Sequence, residues 1–440
     1  MSLVMSKPKI YAITGSPVLH SKSPLLFNEA FKKDTCNARY TRIAANSAEE
    51  AIFLFKAIGL SGMNVTAPFK EDIIPLLDKI DTSALKIRAV NTVVAEGSAL
   101  NGYNTDYQGA TMSLRAKGIP LEGRRCVVLG AGCAGRAAAF GLKREGAAIT
   151  IVNRTYAKAV QAAEELDCTA GPIENLSILL NEVDIIVSAL SSRAQPVKEK
   201  WLRKDHIVLD ANYPESSLYE VARKRGCLAL KGEDWLLHQA LPAYRLFTGC
   251  EPDAHSLESS LFCKDTNSSK KANLTLIGFM GSGKSRIGEK LARKMGLAFR
   301  DTDLLIEKKE QKTIPAVFRT KGEGYFREME KVIMKEMAET KGIVYACGGG
   351  SICDPENREV MAEHSTVIWL YASLPTCLMR VEAGSRPLLD GMRPMERAKE
   401  LFHNRLPYYA GTAYLVINSE NDEDRVVQKI FEEMHQTIHR

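Results

Sequence analysis

The sequence predicts an α/β protein with parallel sheets, in two or three domains. Three observations carry that expectation. At 440 residues the chain exceeds what one hydrophobic core normally fills. Short β-rich runs alternate with helical patterns along most of its length, the order that packs helices against a parallel sheet. Two glycine-rich turns, Gly130-Ala131-Gly132-Cys133-Ala134-Gly135 and Gly278-Phe279-Met280-Gly281-Ser282-Gly283-Lys284-Ser285, each follow a strand-like run and open a helix-like run. That context separates a working phosphate cradle from a chance match.

Met1 to Val4 read as a leader ahead of a start at Met5 and stand outside the fold. Residues 5–106 form a first α/β block on the strand-like runs Ile10–Ile13, Tyr40–Ile43 and Gly62–Val65, whose ends fall beside polar clusters. Residues 107–234 continue the alternation with Cys126–Leu129, Ala148–Val152, Val183–Val187 and His206–Leu209. A helical stretch over Trp235–Phe247 follows, in residues 235–262, which the family resemblance given below assigns to the same domain as the first block. Residues 263–273 are Ser/Asn/Lys-rich and lack apolar periodicity, so they read as a linker. Residues 274–440 make a last α/β domain, entered by Leu274–Ile277.

In the first turn the glycines let the backbone approach a pyrophosphate, and the helix N-terminus offers free N–H groups to it. Roughly 20 residues on, where an acid would hold a ribose 2′-hydroxyl, stand Asn153-Arg154-Thr155. A guanidinium there suits a 2′-phosphate, so the residues favour NADP over NAD, with Arg154 as a solvated surface charge the alternative. In the second turn backbone N–H groups would cradle ATP phosphates, with Lys284 on the β- and γ-phosphates and Ser285 on Mg²⁺. The chain thus carries a nicotinamide-type site and a nucleoside-triphosphate site.

Other polar residues gather at strand ends. Ser16–Pro24 places Ser21 and Ser23 on a loop after a strand, Asn64 and Thr66 end another with Lys70 close behind, and Asn91-Thr92 and Asn104-Thr105-Asp106 add amides and a carboxylate. Taken singly, such residues are common in turns and caps. Together and in this order they resemble the shikimate dehydrogenase family, over roughly Lys9 to Phe262. The resemblance implies an α/β substrate domain and a Rossmann NADP-binding domain. It implies that Ser21, Ser23, Asn64, Thr66, Asn91, Asp106, Tyr213 and Gln239 bind a small polyhydroxylated cyclohexene carboxylate. Lys70 and Asp106 match the family's catalytic pair; an ordinary ion pair is the alternative for them. A lysine beside a carboxylate can donate a proton to a ketone oxygen and hold its developing charge. Phe27 stands where the family often has His, and Arg88 where a Gly commonly precedes Ala-Val-Asn-Thr. Val187–Ser191 and the placement of Pro214 depart from the pattern beside the nicotinamide pocket.

In the last domain Phe299-Arg300-Asp301-Thr302-Asp303 ends the next strand, with both carboxylates pointing to one side. Arg327 lies on a helix, Cys347-Gly348-Gly349-Gly350 forms a second close-approach loop, and Arg386 and Arg405 follow. Each arginine alone could be a surface residue. As a set they resemble shikimate kinase, over Leu274 to about Ile430. The resemblance implies Asp301 near Mg²⁺, Asp303 on the acceptor hydroxyl, and Arg327, Arg405, Gly349 and Gly350 on the substrate. It puts Arg386 on a lid over the transferring phosphate and Arg380 near adenine. The two resemblances fall on consecutive steps, reduction of 3-dehydroshikimate and phosphorylation of shikimate. The first rival is an NAD-preferring quinate/shikimate oxidoreductase in the front half. The second is a binding protein with degenerate catalytic domains, which the presence of Lys70, Asp106, Lys284 and Asp303 disfavours.

The charged fraction of 25% and apolar fraction of 45% are those of a soluble globular protein. A net charge of +6, without a dense basic block and interleaved aromatics, gives no support to a nucleic-acid partner. No apolar run approaches the roughly 18 residues of a membrane span. Ten scattered cysteines without a CxxC pair suggest reduced thiols in a cytoplasm. The expected partners are small-molecule substrates, with no obligate protein partner. The short polar linker leads us to expect two halves tethered without fixed orientation, separately active once cut between Thr266 and Lys270.

Overall fold

The computed structural model describes residues 8–190, 196–213, 216–261, 271–381 and 394–436. Its contacts divide the chain into Met1–Ala67 with Cys263–Arg440, and Pro68–Phe262.

In the first unit the P-loop strand Asn273–Ile277 lies between Ile343–Ala346 and Ser365–Tyr371, all parallel. These strands are buried along their length, as near-continuous apolar runs covered on both faces should be. Ala298–Asp301 extends the sheet beside Ile343–Ala346, and Leu415–Asn418 beside Ser365–Tyr371. The helix Lys284–Met295 buries Ile287, Gly288, Leu291 and Ala292 as one stripe. A Cβ on Gly288 would press within 2.7 Å of Phe299 and 3.1 Å of Leu276, so the missing side chain lets the P-loop helix sit close on its sheet.

The sheet does not stop at the last kinase-type strand. Leu415–Asn418 pairs in parallel with Ala38–Ala44, which pairs with Lys9–Gly15, and that strand with Gly62–Val65. The Thr41 hydroxyl donates to the Ala413 carbonyl at 3.0 Å, and the Arg42 guanidinium lies 4.2 Å from the Tyr414 ring centroid. The Asn418 and Asn421 amides both donate to Glu50, at 2.8 and 2.7 Å. For the strands Lys9–Gly15, Ala38–Ala44 and Gly62–Val65, this corrects the expectation of a part oriented independently of the kinase domain. The outer edge of Ala38–Ala44 would be an open row of backbone donors and acceptors, and Leu415–Asn418 covers it. Residues 263–270 of the linker lie outside the described residues.

The second unit holds a parallel sheet in the order Leu228–Leu230, Ile207–Asp210, Ile185–Ser188, Arg125–Leu129, Ala148–Val152, Thr169–Gly171. The order reverses between Arg125–Leu129 and Ile185–Ser188, which makes a doubly wound fold with a crevice at their carboxyl ends. Helices Cys133–Arg144 and Tyr156–Leu166 follow the first two strands in sequence. A Cβ on Gly135 would collide with the Gly130 carbonyl oxygen, and Gly130 itself has φ 110°; both positions require glycine. The hairpin Thr92–Glu96 with Ala99–Tyr103 and the short strand Lys79–Ile80 complete the unit's described strands. The predicted helix Trp235–Phe247 is observed as Gly232–Thr248.

Candidate active sites

In the first unit the loop after Lys9–Gly15 and the end of Gly62–Val65 lie side by side, because these strands are neighbours. They bring together two predicted pairs. Ser21 Oγ and Ser23 Oγ are 3.2 Å apart, and Ser21 Oγ also accepts from the Ser23 N–H at 3.2 Å. Asn64 Oδ1 accepts from the Tyr40 hydroxyl at 2.6 Å, and the Thr66 N–H donates to the Thr14 carbonyl at 2.8 Å. Phe27, the departure noted above, is buried and stacks on Tyr40 at 4.6 Å. An apolar ring there props the phenol that orients Asn64.

In the second unit Lys70 Nζ lies 2.6 Å from Asp106 Oδ2, with side chains only 15% and 11% exposed. Asp106 opens the helix Asp106–Ala116. Asn91 Nδ2 lies within donating distance of Asp106 Oδ1 (2.9 Å) and Gln239 Oε1 (3.1 Å). The Trp235 indole donates to the Asp106 carbonyl at 2.9 Å. Four residues of the predicted set, Lys70, Asn91, Asp106 and Gln239, thus form one hydrogen-bonded cluster. A protonated lysine held by a fixed carboxylate can both donate a proton and steady a nearby anion. Tyr213 lies half-buried beyond the strand Ile207–Asp210.

A cavity of about 790 Å³ opens at the crevice of the doubly wound sheet. Ala131, Gly132, Asn153, Arg154 and Thr155 line it, with Arg88, Arg136 and Lys158. Gly130 and Gly135 are buried behind the turn, and Ala134 sits in the helix's first turn. Asn153 Oδ1 accepts from the Ala131 N–H at 3.3 Å and so ties the second strand's end to the glycine turn. Four cations around one cleft suit a polyanion. Arg88 ends the helix Thr82–Ile87 at φ 56°, ψ 39°, the left-handed region where a glycine is easiest.

In the kinase-type domain a second cavity, of about 780 Å³, is lined by Gly281, Gly283, Lys284, Ser285, Asp301, Asp303 and Arg380. Gly278 and Ser282 are buried behind the loop. Lys284 Nζ folds back onto the carbonyls of Gly278 and Phe279, at 2.9 and 2.8 Å. Ser285 Oγ donates to Asp301 Oδ2 at 2.5 Å. A hydroxyl and a carboxylate so placed are hard oxygen donors that fit Mg²⁺. Among the described residues no group of three or more His, Cys, Asp or Glu could hold a metal. Mg²⁺ commonly takes only one or two carboxylates and completes its shell with phosphates and water, so the two oxygens suffice.

One expectation is corrected here. Asp301 and Asp303 do not alternate along a strand. Asp301 ends the strand and caps the helix Thr302–Glu310, its carboxylate accepting from the Asp303 N–H at 2.9 Å. Asp303 is therefore a first-turn helical residue, and both still reach the same cavity. A neighbouring pocket shares Asp303 with Arg327, Glu330, Gly348, Gly349, Gly350 and Arg405. Arg405 Nη1 and the Tyr409 hydroxyl donate to the Gly349 carbonyl at 3.1 and 2.7 Å. Arg327 pairs with Glu330 at 2.5 Å and Glu323 at 2.8 Å. Burial pushes the Glu330 carboxyl up, against the pull of Arg327. Burial disfavours the Arg327 charge, yet Glu330 and Glu323 hold its guanidinium above the ordinary value. A Cβ on Gly350 would fall 2.5 Å from the Arg327 guanidinium, so glycine leaves that fork room. Arg386 lies outside the described residues.

The shikimate dehydrogenase of Aquifex aeolicus is 35% identical over 258 residues, 57% of this chain and 94% of that protein. The chain belongs to the shikimate dehydrogenase family. Its residues 13–93 match the shikimate dehydrogenase substrate binding domain and 113–212 the shikimate / quinate 5-dehydrogenase model. Residues 280–435 match shikimate kinase, so the dehydrogenase is joined to a kinase domain. A crystal structure of the Thermus thermophilus dehydrogenase with NADP(H) and shikimate is 32% identical, with TM-score 0.53 over 57% of this chain and 98% of that one. The quinate dehydrogenase of Corynebacterium glutamicum, solved with NAD, is 26% identical at TM-score 0.53, over 58% of this chain and 98% of that one. The chain is a shikimate-pathway enzyme with both activities.

Motif reading passed over residues that line these cavities. Arg136 Nη2 pairs with Glu71 at 2.8 Å, and its Nε donates to the Ile87 carbonyl at 2.8 Å, at the mouth of the dinucleotide cavity. Its position in the first turn after the glycines was the available signal. In the kinase part Glu330, three residues after Arg327, is the buried partner that spacing along a helix could have suggested.

Proposed function

We propose that the dehydrogenase part reduces 3-dehydroshikimate to shikimate with NADPH, and that the kinase part phosphorylates the hydroxyl just made with ATP and Mg²⁺. The observation that carries this reading is the pairing of a hydrogen-bonded Lys70–Asp106 site with a P-loop site on one chain, shikimate being the molecule both family assignments share. We keep the functional division as residues 5–106 with 235–262, 107–234, and 274–440. A cytoplasmic location fits the free thiols of the described cysteines. Among the described residues no helix is long and apolar enough to cross a membrane.

NADPH when bound supplies the hydride. Lys70 donates the proton to the oxygen that becomes the new hydroxyl, and Asp106 holds the Lys70 side chain in place through their 2.6 Å contact. Asn91 and Gln239 orient substrate hydroxyls on the same cluster, with Ser21, Ser23, Asn64, Thr66 and Tyr213 the remaining contacts. In the kinase, ATP and Mg²⁺ supply the phosphoryl group and its charge neutralisation. Lys284, which rests on its own loop carbonyls, would hold the phosphates, and Ser285 and Asp301 would hold the metal. Asp303 accepts the proton of the attacking hydroxyl. Arg327 and Arg405 grip the carboxylate, and Arg386 closes over the phosphate.

Arg154 at the end of the second dinucleotide strand, with Lys158 and Arg88 in the same cleft, favours NADPH. Arg154→Ala is expected to weaken NADPH by about 10- to 150-fold and NADH far less, since a charged hydrogen-bonded contact contributes roughly 1.5–3 kcal/mol. Coenzyme kinetics with both nucleotides and both 3-dehydroshikimate and 3-dehydroquinate test this. Equal use of NADH by the wild type, with turnover of the quinate-series ketone, would favour the quinate/shikimate oxidoreductase instead.

A further inference from the structure

The helix Glu423–Gln436 of the kinase part makes two sets of contacts. Toward the P-loop helix, Lys290 pairs with Glu423 at 3.0 Å and Asp424 at 2.9 Å, and Lys294 Nζ lies 4.9 Å from the Phe431 ring centroid. Elsewhere on the helix stand Lys429 and Glu433, one turn apart, 3.5 Å from each other and only 7% and 2% exposed. Burying two charges is costly unless hydrogen bonds satisfy them. Here those bonds run to the other end of the chain. Lys429 Nζ donates to Ser16 Oγ at 2.7 Å. Glu433 Oε2 accepts from the backbone N–H of Val18 at 2.9 Å and of Leu19 at 3.3 Å.

Ser16 to Leu19 open the loop that carries Ser21 and Ser23. The Ser21 N–H donates to the Val18 carbonyl at 3.1 Å, so the Glu433-bound residues set the turn on which Ser21 stands. The Ser21 carbonyl accepts from Arg42 Nη2 at 2.8 Å, and that same guanidinium lies over the Tyr414 ring. Two kinase-part side chains, Lys429 and Glu433, therefore hold the loop at its start and its middle, and Tyr414 backs the Arg42 guanidinium that holds it at Ser21.

We propose that the terminal helix of the kinase part positions the serine loop of the dehydrogenase, with Glu433 the positioning residue, so that ketone-substrate binding by the first enzyme depends on the fold of the second. This rests on the assignment of Ser21 and Ser23 to substrate. A carboxylate is suited to the task because one oxygen can accept from two adjacent N–H groups while its charge is offset by Lys429.

The test uses the full-length chain with Glu433→Ala and Glu433→Gln, measuring both activities and amide exchange at Val18 and Leu19. In Glu433→Ala the KM for 3-dehydroshikimate is expected to rise about tenfold or more, with NADPH, shikimate and ATP constants within about twofold, since small displacements of positioning groups carry large kinetic effects. Exchange at Val18 and Leu19 should accelerate. Glu433→Gln, which keeps an acceptor oxygen, should fall between. A folded Glu433→Ala variant with an unchanged KM for 3-dehydroshikimate would overturn the proposal, as would equal rises in the kinase constants. If Glu433→Ala does not fold, Glu433→Gln decides: a raised ketone KM supports the proposal and an unchanged one overturns it. Failure of the wild type to turn over 3-dehydroshikimate would instead remove the substrate assignment, a separate result.

Discussion

Lys70→Ala is expected to lower ketone reduction by about 100- to 10,000-fold, the usual range for a general acid–base group, while phosphorylation of added shikimate continues at the wild-type rate. The expectation comes from the Lys70–Asp106 contact of 2.6 Å in a pocket that exposes little of either side chain. Removing the ammonium takes away the proton donor and the charge that offsets the developing oxyanion. Asp106 keeps its bond from Asn91, so the loss should appear mainly in kcat. Steady-state kinetics of both half-reactions on the same preparation check it. Near-normal reduction would take Lys70 out of the mechanism, and parallel loss of kinase turnover would mean misfolding.

The second large effect is on the kinase. Lys284→Ala is expected to cut phosphoryl transfer by about 100- to 1,000-fold or more, as loss of a single charge-stabilising donor does elsewhere, and to spare reduction. Asp303→Asn should still bind ATP but lose shikimate-dependent turnover by about 100-fold or more, because an amide cannot accept the hydroxyl proton. Nucleotide binding measured by fluorescence or calorimetry, beside ADP release with and without shikimate, separates the two variants. Normal turnover by Asp303→Asn would move the base to another residue. Glu330, buried and held by Arg327 and Ser351 in the same pocket, would then be the group to examine.

Local chemistry made most of these groups legible. The strand Gly62–Val65 is observed with the bounds read from its apolar run, and both glycine turns stand between a strand and a helix because small residues and strand ends leave little alternative. Asp301 and Asp303 read as two residues of one strand, whereas the capping of the Asp303 N–H by Asp301 ends that strand and starts a helix between them. The pairing of Leu415–Asn418 with Ala38–Ala44 was not legible at all. Which edge a strand covers depends on groups hundreds of residues away, and a polar linker carries no record of it. Glu433 is the sharpest case. It follows Glu432, which is exposed, and nothing in the local sequence distinguishes the surface carboxylate from the one that binds the serine loop.

The central claim is that one chain makes shikimate and then phosphorylates it. The direct measurement is a single reaction containing the purified protein, 3-dehydroshikimate, NADPH and ATP with Mg²⁺, with NADPH oxidation and ADP release followed together. The account predicts that ADP appears only after NADPH is consumed, mole for mole, and that omitting NADPH abolishes ADP release until shikimate is added. ADP release from 3-dehydroshikimate without NADPH, or NADPH oxidation whose product the kinase does not accept, would contradict it.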